Sequence, residues 1–386
     1  MYKLLLLKRR LEAIVIFPFA LLGRLIAKLR PLQEEFDLFL FFPFYHVGGA
    51  EKVHAQITQL FPDKKIIVFF TKKSQGKALL NDFKAPNVEI RDISRYTSNK
   101  FMYWNNLIWR GIVAGYIRRQ RKAPVVFNGQ CNFAYKLSPH VPREVRQIEL
   151  IHSFCSFSYI RIPFIPFYET TVMISRDSIR QHLELYRQYA IPAALGERIR
   201  LIMNGIPIPT DTTPLPEAAR LLYVGRGTEE KRPWLVAAIA KAAGMQAGML
   251  GPLDNAIPSA EKEHCRFYGE QSDAGLIDRI YREHRIIAIT STREGFPMVI
   301  MEAMARGLAV LSTDVGDIPY HVQHGVNGWL IKHDQPEAGI IAEGVKQLRE
   351  ATTETLAAMR DRNIAYAREH FSLEAFAAAY RSLLQN

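Results

Sequence analysis

The segment STREGFPMVIMEAMARG contains two carboxylates whose positions suggest ligand binding. Glu294 precedes a Phe-Pro turn, and Glu302 lies within the apolar run that follows. Pro297 suits the first turn of a helix, because its missing N–H would have no partner there. The free backbone N–H groups near Met298 and Val299, reinforced by the helix dipole, form an anion site. The segment therefore predicts a helix start that binds phosphate.

The spacing of the two carboxylates predicts what else the ligand carries. Glu302 lies about five residues into the predicted helix, roughly 7.5 Å along its axis. A diphosphate at the helix start would leave its attached ribose near that point, where a carboxylate can accept hydrogen bonds from both hydroxyls. Glu294 would face the group at the other end of the diphosphate. The pair predicts binding of both sugars of a nucleotide-sugar, the alternative being a helix-start carboxylate and a solvated helix face.

Cations for the diphosphate are found in YVGRGTEEKRPW. Arg226 can bind phosphate oxygens in a bidentate manner, and Lys231 can act as a point charge. The glycines around Arg226 lack the third glycine of a dinucleotide fingerprint, since Glu230 occupies its place, and the sequence has no Gly-Lys-Ser/Thr phosphate loop. The alternative for both cations is an exposed helix start.

The elements that must position these residues alternate between apolar strands and helical segments. Residues 36–42 read as a buried parallel strand, followed by the Gly48-Gly49 loop and a helix from about Ala50. The alternation stops at a proline-rich linker, residues 204–217, and then resumes. The sequence predicts an α/β protein of two doubly wound, Rossmann-like domains, with ligands at the carboxyl ends of the strands and a cleft where those ends face.

The N-terminal extension, residues 1–35, is basic and apolar. Residues 1–30 have seven basic side chains and one acid, which is six of the net charge of +12. The longest uncharged run has 11 residues, whereas a spanning helix needs roughly 20, and Pro18 is expected to kink a helix there. We predict a segment lying on an anionic membrane surface; the alternatives are packing on the protein and a cleaved or inserted signal. Nucleic acid is not an expected partner, because the basic excess is local and no recognition motif occurs.

Three scattered cysteines, Cys131, Cys155 and Cys265, have no metal-ligand spacing. They predict reduced thiols and a cytosolic compartment. The expected location is therefore cytoplasmic, peripheral on the inner face of the cytoplasmic membrane.

The segment STREGFPMVIMEAMARGLAVLSTDVGDIP, with GVNGWL after it, resembles the signature of the family-four retaining glycosyltransferases of GT-B fold. HVGGAEKV, MNGIPI, YVGRGTEEKRP and HFSLEAFAAAYRSLL follow the family's order. The resemblance implies an acceptor-binding domain at 36–203, a nucleotide-sugar-binding domain at 204–367 and a terminal helix, 368–386, packing back on the first domain. The sequence departs from the family at Asp317, where a second glycine is usual, and at Tyr320, where an acid is common.

The resemblance also implies roles for particular residues. Glu302 would bind the nucleotide ribose, and His152 would contact the donor sugar from the N-terminal domain, so that Glu294 and His152 are the predicted catalytic residues. Gly48 and Gly49 match a loop that lets acceptor and phosphate approach the backbone. The remaining predicted donor-binding residues are Arg226, Lys231, Gly295, Phe296, Pro297, Met298 and Val299. For His152 the alternative is a core histidine, and for the glycines it is an ordinary turn.

The implied reaction is metal-independent transfer of a hexose, with retention, from a nucleotide-diphosphate sugar to a lipid-linked or polysaccharide-precursor acceptor. No cofactor is expected, since the donor is a co-substrate and the chain has no Asp-x-Asp motif. Two aromatic stretches with basic residues, 95–111 and 153–169, suit a membrane interface around such an acceptor, or else ordinary core. The alternative functions are a paired-carboxylate hydrolase, a nucleotide-sugar epimerase and a non-catalytic membrane-bound subunit.

Overall fold

The computed structural model describes residues 1–46, 48–99, 103–210 and 220–385. The chain divides into two compact units, which we call unit 1 and unit 2. Unit 1 comprises Met1–Ile202 with Ala377–Asn386, and unit 2 comprises Met203–Phe376. Half of the proline-rich linker, residues 211–217 with Pro214 and Pro216, lies outside the described residues.

Unit 1 is built on a seven-stranded parallel sheet of order β3-β2-β1-β4-β5-β6-β7. β1 is buried along its whole length, as its uninterrupted apolar sequence requires when helices cover both faces. The strands are β1 Leu38–Phe42, β2 Ile66–Phe70, β3 Val88–Asp92, β4 Val125–Gly129, β5 Gln147–Ile151, β6 Thr170–Met173 and β7 Ile199–Leu201.

Eight α-helices accompany this sheet among the described residues: α1 Tyr2–Leu29, α2 Gly49–Gln59, α3 Ser94–Thr97, α4 Tyr103–Arg118, α5 Asn132–Leu137, α6 Ser156–Ile160, α7 Arg176–Tyr189 and α8 Ala193–Gly196. Short 3₁₀ helices span Leu80–Phe83, Ser138–His140 and Ile162–Phe167.

The N-terminal extension forms one continuous helix, α1, which packs on α4. Small residues bring the two backbones into contact: a Cβ on Gly23 would lie 2.1 Å from the Ile108 carbonyl oxygen, and one on Gly111 would lie 2.2 Å from that of Ala20. The helix continues through Pro18, the residue at which a kink is predicted. A proline removes one helical hydrogen bond, and packing on α4 outweighs that loss.

The opposite face of α1 is apolar and exposed. Its large uncovered side chains recur every three or four residues and form what we call the α1 stripe: Leu4, Leu7, Leu11, Ile14, Val15, Phe17, Leu21, Leu22, Leu25 and Leu29. In the part of the chain that the structure describes, no helix combines the length and the apolar character needed to cross a membrane.

Unit 2 contains a six-stranded parallel sheet of order β10-β9-β8-β11-β12-β13. Alternate residues of β8 enter apolar clusters on opposite faces, Leu221 and Tyr223 on one side and Leu222 on the other. The strands are β8 Leu221–Val224, β9 Ala247–Leu250, β10 Cys265–Gly269, β11 Ile286–Ile289, β12 Ala309–Thr313 and β13 Gly328–Ile331.

The helices of unit 2 cover both faces of this sheet. They are α9 Pro233–Ala242, α10 Ala274–Arg282, α11 Met298–Ala305, α12 Ile318–His321, α13 Glu337–Arg349 and α14 Thr353–Phe371, with a 3₁₀ helix at Lys262–His264. The prediction of two α/β domains with parallel sheets is confirmed.

The last helix, α15 Leu373–Leu384, begins in unit 2 and ends in unit 1. Its unit 1 portion packs on that sheet, since the Tyr380 ring meets Phe127 of β4 edge-on. The Arg381 Nε donates to the Leu60 carbonyl at 3.2 Å. These contacts attach the C-terminus to unit 1.

Candidate functional site

Helix α11 begins directly after the loop that follows β11, as the sequence predicts. Pro297 caps the helix from outside, with extended backbone, so that Met298 is the first helical residue. The Ile300 N–H donates to the Pro297 carbonyl at 3.0 Å. The N–H groups of Met298 and Val299 belong to the unpaired first turn, and they point their partial positive charge at the preceding loop.

Glu294 is held beside this helix start by two short hydrogen bonds. Its Oε1 accepts from Lys231 Nζ at 2.6 Å and from Ser291 Oγ at 2.6 Å. The two charged side chains are only 20% and 10% exposed, for Lys231 and Glu294 respectively. The residue predicted to bind diphosphate and the residue predicted to hold the sugar therefore pair with each other, close to the predicted anion site at the start of α11.

The loop that contains Glu294 is fixed by a glycine turn from the end of β12. Gly316 has a φ of +57°, and a Cβ there would lie 2.1 Å from the Glu294 carbonyl oxygen and 2.4 Å from that of Gly295. The next residue, Asp317, donates its backbone N–H to the Gly295 carbonyl at 2.7 Å. Because the backbone makes this contact, the departure from the family pattern at Asp317 does not remove it.

Phe296 differs in role from its neighbours in the loop. Its ring is buried, 4.2 Å from the His321 ring and 5.3 Å from the Phe371 ring. Its side chain anchors the loop in the core of unit 2, so that only its backbone is available to a ligand.

Glu302 lies on the second turn of α11, with one carboxylate oxygen occupied. Its Oε2 accepts a hydrogen bond from the Tyr281 hydroxyl at 2.9 Å. Burial, and next the charge of Glu302, raise the pKa of Tyr281 well above its usual value, so the phenol stays protonated as the donor. The carboxylate keeps further acceptor positions for a diol.

Arg226 follows β8 and is exposed. The Tyr223 hydroxyl donates to the Arg226 carbonyl at 2.9 Å, which fixes the turn. Gly225 has a φ of +155°, and its carbonyl oxygen would lie 2.0 Å from a Cβ on Gly251. Within the described ranges, the Arg226 guanidinium makes no hydrogen bond or ion pair, which leaves it available to an anion.

A second set of predicted residues lies in unit 1. Gly48 caps α2, and Gly49 is its first residue. The φ of Gly48 is −173°, which any residue adopts, but a Cβ there would lie 2.1 Å from Glu51 Oε2. Because this atom is the end of a flexible side chain that can move aside, neither backbone conformation nor packing requires glycine at this position.

His152 follows β5 and faces a second histidine on α2. Its Nε2 lies 2.8 Å from Nε2 of His54, a hydrogen-bond distance at which one ring donates and the other accepts. Burial lowers the pKa of His152 to about 4, and burial and then His152 lower that of His54. Both rings are neutral near pH 7, so His152 can hydrogen-bond a hydroxyl but carries no charge.

The structure thus groups the predicted residues by unit. Unit 2 brings together Glu294, Lys231 and the start of α11, with Glu302 further along the helix. In unit 1, His152 contacts α2, the helix that Gly48 caps, through His54. Sequence reasoning missed three residues that position these groups: Ser291, Tyr281 and His54. Only Ser291, three residues before Glu294, offered a local signal.

Over the described part of the chain, no three His, Cys, Asp or Glu side chains are arranged to hold a metal ion. Metal-independent chemistry remains a prediction.

Comparison with known proteins finds similar sequences for part of the chain. Residues 217–350 match the family model described as "Glycosyl transferases group 1". The chain is 36% identical over 96 residues to a D-inositol 3-phosphate glycosyltransferase of Mycolicibacterium gilvum, covering 24% of this chain and 21% of that protein. A homologue from a Mycobacterium species matches 46% of this chain and 47% of its own length at 28% identity. The matches thus span less than half of these relatives.

Solved structures cover nearly the whole chain at low identity. The Anabaena protein HepE, in complex with UDP and glucose, superposes with a TM-score of 0.67 at 18% identity, over 91% of this chain and 99% of that one. A lipopolysaccharide outer core galactosyltransferase, in its apo form, gives a TM-score of 0.67 at 18% identity, over 90% and 98%. Residues 217–350 thus resemble the group 1 glycosyltransferases, and the structural likenesses show that the chain has the GT-B fold.

Proposed function

We propose that this protein transfers a hexose, with retention of configuration, from a nucleotide-diphosphate sugar to a lipid-linked or polysaccharide-precursor acceptor. The observation that carries the proposal is the Lys231–Glu294 pair at the start of α11. A cation, a carboxylate and unpaired N–H groups in one place suit a diphosphate joined to a sugar.

The donor follows from this chemistry. Arg226 and Lys231 would neutralise the diphosphate together with the N–H groups of Met298 and Val299. Glu302, oriented by Tyr281, would accept from the ribose hydroxyls, and Glu294 would accept from the transferred sugar. The HepE structure in complex with UDP and glucose supports a uridine diphosphate sugar as the first donor to test.

In the proposed reaction the bond from the anomeric carbon to the acceptor oxygen forms on the face that the diphosphate leaves. The bond from the anomeric carbon to the diphosphate oxygen breaks, and that oxygen takes the acceptor's proton. The chain's residues would position the two substrates and stabilise the leaving charge, with no metal. His152, neutral and hydrogen-bonded to His54, would orient the sugar through a hydroxyl.

The proposed location is peripheral, on the inner face of the cytoplasmic membrane. The α1 stripe supports this, because ten large apolar side chains on one helix face are uncovered. Exposed cations on the same helix, including Lys3, Lys8, Arg10 and Lys28, suit anionic headgroups.

The test has two stages. UDP- and GDP-sugars are first screened for an increase in melting temperature. The stabilising donor is then incubated with and without membrane lipid extract while its consumption and the product's anomeric configuration are followed by NMR. Acceptor-dependent consumption with retention is expected. A changed sugar without acceptor would indicate an epimerase, and absence of any stabilising nucleotide-sugar would refute the donor site.

A further inference from the structure

Beneath α1, unit 1 contains a cavity of about 690 Å³, and its lining residues are separate from those of the proposed donor site. We call it the α1 cavity. Its volume falls in the range of small-molecule sites, about 300–1,000 Å³. One wall is a face of α1 with helical spacing, comprising Leu5, Arg9, Glu12, Ala13 and Ile16. The cavity lies entirely within unit 1.

The other walls come from the two aromatic stretches noted in the sequence. Tyr103 and Leu107 of α4 belong to the first stretch, and Tyr159, Phe164 and Phe167 belong to the second. Tyr103 and Tyr159 are exposed, as is Val15 of the α1 stripe, which also lines the cavity. The exposed surface of α1 therefore continues into the cavity through Val15, beside the exposed charged residues Lys8 and Arg10, which also line it.

The cavity lining contains five cations, of which Arg110 and Lys136 lie together and have no carboxylate partner among the described residues. Arg110 is only 2% exposed, yet among the described residues no carboxylate oxygen lies within 4.0 Å of it. Buried charges in proteins are ordinarily paired, and Arg161 of the same unit follows that rule through Glu149. Lys136 likewise has no acidic partner among the described residues.

A phenol oxygen occupies the place between these cations. The Tyr103 hydroxyl oxygen accepts from Arg110 Nη2 at 2.8 Å and from Lys136 Nζ at 3.1 Å. Burial raises the pKa of Tyr103, but Arg110 and Lys136 together lower it below its usual value, which reports a positive potential there. The Nη1 of Arg110 makes no hydrogen bond to the described residues and remains available.

The same potential acts on His140, which also lines the cavity. Burial, followed by Arg110 and Arg24, lowers its pKa to about 4. The acid that acts on the pKa of Arg110 is Glu12, whose exposed side chain lies 3.9 Å from the Lys8 ammonium. Five basic side chains and one acid, Glu12, line the cavity, so its net charge is positive.

From these observations we infer that the α1 cavity binds one phosphate-bearing bilayer lipid, its phosphate on Arg110 and Lys136 and its chain along Leu5, Ile16 and Phe164 toward the α1 stripe. A lipid fits better than a free ion because the lining is mainly apolar and opens beside an apolar surface. It fits better than a neutral lipid because the two cations lack an anion. The inference concerns binding alone and does not depend on the proposed transfer reaction.

Dodecyl phosphate, used below its critical micelle concentration, tests the inference without a membrane. Calorimetric titration is expected to show one site, with inorganic phosphate and dodecyl maltoside each binding at least about tenfold more weakly because each lacks one half of the ligand. Equal affinity for inorganic phosphate would identify a simple anion site and overturn the inference.

Four variants locate the site. Lys136→Gln is expected to weaken dodecyl phosphate binding about tenfold, the usual effect of losing one charge-assisted hydrogen bond. Ala13→Trp fills the cavity, keeps every charge and is expected to abolish binding. Lys28→Gln and Leu22→Trp make matching changes on α1 outside the cavity and should have no effect. Equal effects of Lys136→Gln and Lys28→Gln, or unchanged binding in a folded Ala13→Trp, would refute the inference.

Discussion

The glycine turn at Gly316 allows the proposed donor site to be tested by the addition of a single methyl group. In Gly316→Ala the new Cβ would lie 2.1 Å from the Glu294 carbonyl oxygen, whereas real Cβ contacts essentially never fall under 3.0 Å. The difference, 3.0 minus 2.1, means that the Glu294 loop and the turn at residue 316 must move apart by at least 0.9 Å. Displacements of about 1 Å in an active site can reduce rates about a hundredfold.

The change also has a backbone cost that a control can isolate. A left-handed conformation costs a non-glycine residue about 1–2 kcal/mol. Gly325, also in unit 2, has a φ of +76°, and a Cβ added there would have nothing within 4 Å of it. Gly325→Ala therefore incurs the backbone cost without the collision, and its melting temperature should fall by only about 2–8 °C.

The assay compares the two variants with the wild type for thermal unfolding, stabilisation by the nucleotide-sugar, and kcat/KM. Gly325→Ala is expected to keep the wild-type response to the nucleotide-sugar, and Gly316→Ala to lose most of it along with about a hundredfold in kcat/KM. If the two variants respond alike to the nucleotide-sugar, the Glu294 loop does not hold the donor and the reasoning is wrong.

Three further predictions test the remaining electrostatics. Lys231→Gln should weaken nucleotide-sugar affinity at least about tenfold. The control Lys332→Gln, which removes an exposed cation paired with Asp314, should leave that affinity unchanged. Equal affinities of the two variants in a binding titration would contradict the diphosphate role of Lys231. Glu149→Gln should destabilise unit 1 by about 3–5 kcal/mol because it leaves Arg161 buried without its partner, whereas Glu169→Gln at the exposed pair with Arg146 should cost at most about 1 kcal/mol in urea unfolding. Burial lowers the pKa of His182 to about 3, so between pH 3 and about 6.5 this histidine is protonated in the unfolded chain but not in the folded one. Stability should therefore fall as the pH drops through that range. His182→Gln should flatten this slope in pH-dependent melting curves, and an unchanged slope would refute the lowered pKa of His182.

The sequence predicted those features that depend on local pattern. Of the segment 36–42, residues 38–42 form a strand buried on both faces, because its one polar residue, Asp37, lies before them. The helix after Pro297 ends just before Gly307, whose φ of +80° closes it. These signals reside in consecutive residues, so a single sequence contains them.

Contacts between distant residues could not be predicted in the same way. Lys231 and Glu294 are 63 residues apart, and only the parallel strand order of unit 2 brings them together. The bond from Tyr281 to Glu302 depends on how α10 and α11 pack, and the continuity of α1 through Pro18 depends on α4. In each case tertiary packing determines the outcome and local propensity does not.

The backbone contact between α1 and α4 has one more consequence. Since Gly23 and Gly111 leave no space for a side chain between the helices, α1 can neither roll about its axis nor slide along its partner without a collision. The direction in which its leucines point is therefore set by the fold of unit 1. Any surface that binds those leucines will therefore contact unit 1 in one fixed orientation. The close packing at the two glycines determines the angle between that surface and the strands of unit 1.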